Sequence, residues 1–461
     1  VLYQHLEPAM ILTILLLFYL SAPGLTERDW RLGRHAFKGY CGGEQWVTRP
    51  LPEYELLQVQ VVHRHGARTL WTPMDCWKAT PTSEPEMPHF ECDLPFSIGI
   101  GHTRHRLTKH YLQPGHCGLG SLLGQAETQF KDLAASLNQS YGHIPWWKRL
   151  EPPAGLQSTG SVRLYSCDNE RNLGSLDLLV AQLFPEKLEA SVDTMPPKED
   201  PFELPGFVST SPCDGSTLPK LQEIHADNDF RDFASRWRSH ANVTWNHMLY
   251  DCILTSGCAG LPLPQAISSE LADEALYWGF QQSTAAVFYS NWTTWDASQA
   301  LQWLAQRMHH AIEHGLPKLA LWSTHDSTMI YLLNALHAWD NIWPGYGSAL
   351  VLELYADRTA HEFLVRILRD GQPLKLGLCD DKVLCPLTRF LQAVESTKPP
   401  ATPCTPPTPT MALSLLSQAW QPTGLAMVAV ALAAAAFTFG LHAGFWRQPP
   451  LLSERLLTSG A

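Results

Sequence analysis

The chain has 461 residues, of which 45% are apolar and 17% charged, and its net charge is −11. That is enough for one large domain or two ordinary ones around a substantial core. No lysine/arginine block stands out, which argues against a nucleic-acid partner.

Residues 1–24 read as a signal peptide. The apolar run from 9 to 20 is too short to span about 30 Å of hydrocarbon as a helix. Ser21-Ala22-Pro23-Gly24 follows it, as after a signal-peptide core. Residues 40–397 read as the folded domain. Glu55 to Val62 is β-like, and Gly124 to Leu137 is an amphipathic helix. Arg163 to Ser166 reads as a short strand, followed by helix through Leu183. The stretch from about 186 to 285 is rich in proline, tryptophan and polar residues, has no strand rhythm, and reads as a helical cap. Leu301 to His314 has helical periodicity, Leu316 to Ser323 reads as strand, and Thr328 to Ala338 as helix. Ala349 to Tyr355 and Glu362 to Arg369 read as antiparallel strands. Strand alternating with helix predicts an α/β fold: a sheet covered by helices on both faces, with an inserted mainly helical cap.

Residues 398–420 are dominated by proline and threonine and read as an extended stalk. Gly424 to Leu441 carries no charge, and with the residues up to Trp446 the stretch is long enough for a C-terminal transmembrane helix. Trp420 and Trp446 bracket it. Arg447 and Arg455 lie beyond, in a tail (447–461) that the positive-inside rule places in the cytosol. The expected topology is single-pass type I.

Eleven cysteines are scattered without Cys-x-x-Cys pairs. Sequons begin at Asn138, Asn242 and Asn291. Together with the terminal segments these features point to the secretory pathway and an oxidising lumen. Cys379–Cys385 and Cys252–Cys258 are each spaced to close a short loop. Cys167 and Cys404 are the candidates for an unpaired thiol. Trp146, Trp147 and Trp292 either line a groove for flat-faced ligands such as sugars or pack the core.

Two short loops carry the chemistry. Arg64-His65-Gly66-Ala67-Arg68 follows the first strand, and Thr324-His325-Asp326-Ser327-Thr328 follows a later one. Ligands of open α/β sheets bind outside the carboxyl ends of strands. A helix starting near Ser327 points its amino end at that cleft and favours an anion. Guanidinium groups beside a histidine disfavour its protonation. A neutral imidazole between two arginine forks suits attack on a bound phosphate dianion.

These loops resemble those of the histidine acid phosphatases, which carry Arg-His-Gly-x-Arg after the first strand and a His-Asp pair after a late one. The similarity extends through Asn334-Ala-Leu, Pro344-Gly-Tyr346 and Leu352-Glu-Leu-Tyr355 and covers most of residues 40 to 392. Tyr54-Glu-Leu-Leu and Cys385-Pro-Leu look like the 2-phosphoxylose phosphatases of proteoglycan linker synthesis. The stalk, span and tail look like lysosomal and testicular acid phosphatases. The resemblance implies that His65 is the nucleophile and that Arg64 and Arg68 grip the phosphoryl group. It makes His325 a hydrogen-bond donor to phosphate and Asp326 the acid for the leaving oxygen. It implies no metal and no cofactor, a phosphomonoester substrate, and a homodimer.

Two departures from the family pattern appear. Leu70 stands where the family has proline. In Tyr165-Ser-Cys-Asp-Asn-Glu-Arg171, tyrosine stands where a phosphate-binding arginine is expected. Tyr165 then contacts the substrate without a charge, and Arg163, on the same face of a strand, reaches in instead. The leading expectation is a membrane-anchored lumenal phosphomonoesterase of the lysosome, Golgi or plasma membrane. The alternatives are a 2-phosphoxylose phosphatase acting on a phosphorylated sugar, and a catalytically weakened binding protein.

Overall fold

A computed structural model describes residues 36–42, 45–78, 118–151, 160–185, 192–195, 199–203, 217–288 and 292–399. The expected signal peptide, transmembrane helix and cytosolic tail lie outside these residues, as do Asn291 and all but the start of the stalk. Among the described residues no helix is long and apolar enough to cross a membrane.

The strands are β1 (Glu55–Arg64), β2 (Val162–Ser166), β3 (Leu319–Thr324), β4 (Ala349–Asp357), β5 (Glu362–Arg369), β6 (Gln372–Pro373) and β7 (Leu384–Pro386). They form one mixed sheet in the order β2-β3-β1-β4-β5-β6, with β7 also on β5. β3 pairs in parallel with β1 and β2, whereas β4 and β5 add antiparallel neighbours.

The central strands are buried on both faces, as in a sheet covered on both sides. In β1, Val59 and Val61 pack with α1 (Gln125–Tyr141) and α2 (Glu170–Leu183) through Phe130, Leu133, Leu137 and Leu176. Val62 faces the other way, in a core shared with α7 (Trp292–His314) and α8 (Asp326–Ala335) through Leu301, Leu304 and Ile330. Each fully buried side chain of this kind contributes about 1.5–3 kcal/mol. Gln58 and Gln60 also point to the α7 side. Their amide N–H groups donate there to the carbonyls of Arg307, Pro317 and Leu304. Helix α9 (Leu387–Ser396) closes the described chain.

The insertion between β2 and β3 is helical where it is described. It comprises α3 (Thr217–Ala226), α4 (Asn228–Ala241), α5 (Leu249–Cys258) and α6 (Ser269–Phe288). Trp237 and Trp278 are buried within it. Trp147 is also buried, and Trp146 packs beside it, so both are core residues rather than groove lining.

Disulfides tie the insertion to the segments on either side of β1. Cys41 pairs with Cys258 and Cys76 with Cys252, while Cys379 pairs with Cys385 as expected. The expected Cys252–Cys258 bridge is therefore corrected. Six residues along a helix separate the two by about 9 Å of rise, beyond disulfide reach. Cys167 is a free, buried thiol, and Cys404 lies outside the described residues. Of the described sequon residues, Asn138 is exposed on α1, and Asn242 ends α4 in a left-handed conformation at φ 56°.

Candidate active site

The parallel pairing of β1 and β3 places Arg64 opposite Thr324, so both loops leave the same edge of the sheet. The first loop is pinned through its backbone. His65 N–H donates to Thr324 O at 3.0 Å. Gly66 N–H donates to Ser175 Oγ at 2.9 Å, and Ala67 N–H to Gln129 Oε1 at 2.8 Å. Position 66 must be glycine because a Cβ there would lie 2.5 Å from that of Ala126 on α1.

His65 is buried, and its Nδ1 lies 2.9 Å from Gly66 O. A carbonyl only accepts, so Nδ1 carries the proton and Nε2 keeps its lone pair. Burial pushes the His65 pKa well below the usual range, and the charges of Arg171, Arg64 and Arg68 push it further. The ring is neutral at ordinary pH.

Arg64 is fully buried. It donates to Pro344 O and Tyr40 Oη, each at 2.8 Å, and lies over the Tyr346 ring. Its Nη2 is 2.9 Å from Asp326 Oδ2. Arg68 forks onto Asp251 of α5 at 3.0 and 3.2 Å. The neighbouring Cys76–Cys252 disulfide holds that helix against the loop.

Asp326 opens α8, with its Oδ1 accepting from Ser327 N–H and its Oδ2 from Trp343 Nε1. Burial alone would raise its pKa, but Arg64 and the Trp343 hydrogen bond, with Arg68 and His325, hold it below the usual carboxylate value. His325 is the N-cap residue of α8, and its ring centroid is 5.6 Å from that of His65. Its Nε2 lies 3.0 Å from Glu203 Oε2 and 3.2 Å from Asn169 Nδ2. A carboxylate accepts only, so Nε2 donates to Glu203. Burial lowers the His325 pKa despite the opposing Glu203 bond.

The structure thus brings together His65, Arg64, Arg68, His325 and Asp326. It leaves Arg163 and Tyr165 out. Tyr165 stacks on Trp322 at 4.0 Å and packs against Trp303 of α7, while Arg163 lies 3.8 Å from Asp193. The two do share a strand face, but that face meets α7 rather than the cleft. The third guanidinium comes from Arg171, in the first turn of α2, with Nη2 3.5 Å from His325 Nδ1. Burial, and then Arg68, lowers the Arg171 pKa to about 10, so it stays charged in any acidic or neutral medium. Arg171 lies in the very segment that suggested Tyr165, six residues further on, where strand has given way to helix. Asp251 and Glu203 also went unread, since nothing local marks two carboxylates in a cap and a loop. The amino ends of α2 and α8 both face this cluster and favour an anion.

No family model matches the chain. Lysosomal acid phosphatase of Homo sapiens is 26% identical over 387 residues, covering 77% of this chain and 80% of that protein. Testicular acid phosphatase of Mus musculus is 25% identical over 409 residues, covering 78% and 84%. The phytase of Hafnia alvei in complex with myo-inositol hexakis sulphate superposes with a TM-score of 0.54 at 15% identity, over 76% of this chain and 99% of that one. That superposition carries the fold, while the two relatives and the paired loops carry the kinship. The chain is a phosphomonoester hydrolase similar to the histidine acid phosphatases.

Proposed function

We propose that this chain hydrolyses phosphomonoesters in two displacements through a phosphohistidine at His65. The observation that carries the reading is the neutral His65 ring, its Nδ1 proton held by Gly66 O, among Arg64, Arg68 and Arg171. The guanidinium groups hold the phosphoryl oxygens and offset the charge that develops in transfer. Nε2 attacks phosphorus as the ester P–O bond breaks, and Asp326 gives its proton to the departing oxygen. In the second step the Asp326 carboxylate takes a proton from water. The hydroxide oxygen bonds to phosphorus, the N–P bond breaks, and phosphate leaves. His325 donates its Nε2 proton to the phosphoryl group once phosphate replaces Glu203 as its acceptor. No step draws on a metal or cofactor.

We place the protein in the lumen of the secretory pathway or lysosome. The similarity to a lysosomal acid phosphatase and three disulfides support this. Anchoring by the 424–446 segment, behind a signal peptide and a glycosylated stalk-bearing domain, rests on the sequence alone. The weakened binding-protein reading rests on Tyr165 together with the glycans and the stalk, and Tyr165 lies away from the cleft. Turnover of an aryl phosphate at acidic pH tests the proposal. Sustained release of phosphate supports it, and tight phosphate binding without turnover refutes it.

A further inference from the structure

Beside the phosphate cleft lies a second cluster that the phosphatase mechanism does not use as a unit. The Cys167 thiol, a Glu203 carboxylate oxygen and a His325 ring nitrogen lie within 4.8 Å of one another. Cys167 and His325 are buried, and Glu203 is half-buried. We propose that Cys167, Glu203 and His325 form a binding site for a zinc-class divalent metal, and that its occupancy inhibits phosphate ester turnover.

The three donors come from separate parts of the fold, and each is anchored by its neighbours. Cys167 N–H, just past β2, donates to Ser323 O at 3.0 Å. Glu203 follows Phe202, whose carbonyl accepts from Thr328 Oγ1 of α8 at 2.6 Å. His325 caps α8 and already holds Glu203 at 3.0 Å. Thiolate, imidazole and carboxylate together are a zinc-type donor set, and three protein ligands leave a fourth position open. Zinc bond lengths set neighbouring donors roughly 3.3–3.7 Å apart, so the thiol must close by at most about 1 Å while the His325–Glu203 pair, now at 3.0 Å, opens slightly. A cavity the size of about one water molecule adjoins Cys167 and Asp200. Two carboxylates, Glu203 and Asp200, lie against the thiol and raise its pKa together with burial. A bound dication reverses that balance, because a coordinated thiol loses its proton.

The proton count closes. Cys167 releases its S–H proton to solvent as the S–metal bond forms. His325 presents Nε2 to the metal and carries its proton on Nδ1 instead. Glu203 is already ionised, since the His325 hydrogen bond pulls its pKa down against burial. The new Nδ1–H would face Arg171 Nη2, now 3.5 Å away, donor against donor. Metal binding therefore takes His325 from the phosphate and pushes Arg171 aside. The inhibitory half of the proposal rests on the phosphatase reading, and the binding half does not.

Cobalt(II) titration of the purified full chain reads the site directly through the near-ultraviolet charge-transfer absorption of a cobalt–thiolate bond. The expected result is one equivalent bound with that absorption, displaced by zinc(II) and lost in Cys167→Ala. Glu203→Gln should weaken binding by more than the roughly 10–100-fold typical of losing an outer partner. Zinc(II) should inhibit aryl phosphate hydrolysis by the unmodified chain, while Cys167→Ala keeps basal turnover and escapes inhibition. No thiolate absorption, or the same absorption in Cys167→Ala, overturns the site. Equal zinc inhibition of both proteins overturns its regulatory role. If the chain hydrolyses no phosphomonoester at all, the cobalt spectrum still decides whether the site exists.

Discussion

Arg64 Nη2 sits 2.9 Å from Asp326 Oδ2, so the proposed phosphate grip and the proposed acid form an ion pair. That pair helps to keep Asp326 ionised. A bound phosphate dianion draws on the same guanidinium and adds negative charge nearby. Both effects raise the Asp326 pKa and let it carry the proton that the leaving oxygen needs. Asp326→Asn should slow transfer to the enzyme by about 10²–10⁴-fold, most severely for poor leaving groups. The measurement is a series of aryl phosphates of graded leaving-group pKa. Uniform slowing across the series contradicts the assignment.

Arg171 is half-buried at the cleft, with its Nη2 3.5 Å from His325 Nδ1. Loss of one charge-assisted hydrogen bond is worth roughly 1.5–3 kcal/mol. Arg171→Gln should therefore lower kcat/KM by about 10–150-fold, and Arg163→Ala should leave it unchanged. The reverse ranking would return the third cation to the strand.

The acid side of the pH profile follows from His65. Its pKa is depressed, so the ring stays unprotonated and nucleophilic through the mildly acidic range, and activity falls only where it finally protonates. The acid limb of kcat/KM should lie well below 6.5, the usual histidine value. Among the neighbouring charges, Arg171 contributes most to this depression. Removing it favours the imidazolium and should move the limb to higher pH in Arg171→Gln. An unmoved limb would show that the guanidinium does not face the ring.

Much of this was legible in the chain because the relevant signals are local. An apolar run ending in Arg64-His65-Gly66 reads as a strand opening onto a loop, and Leu319 to Thr324 repeats the pattern. Parallel pairing then brings the loops together without further instruction. The rest depends on contacts between distant residues. Which cysteine meets Cys41 or Cys76 is set by how the helical insertion folds back. Asp251 acquires its role only because the same fold places α5 beside Arg68. Arg171 was hidden for a different reason. By sequence Tyr165 reads as a strand residue near the cleft, whereas the change from strand to helix after Ser166 turns the chain so that the first turn of α2 presents Arg171.

Asp251 tests how the cleft is supported. It is buried and forks onto Arg68 at 3.0 and 3.2 Å. Removing one partner of such a pair costs about 3–5 kcal/mol, largely from the uncompensated charge left behind. Asp251→Ala should lose stability of that order in denaturant titration. KM for phosphomonoesters should rise as Arg68 loses its fixed geometry. Unchanged stability would mean that water replaces the carboxylate without cost.

The most direct test of the account is rapid-quench labelling with a radiolabelled phosphomonoester, followed by identification of the modified residue. The account predicts a phosphoryl group on Nε2 of His65, formed and consumed at rates compatible with turnover and absent from His65→Ala. Turnover with no covalent phosphate, or equal labelling of the His65→Ala protein, would contradict it.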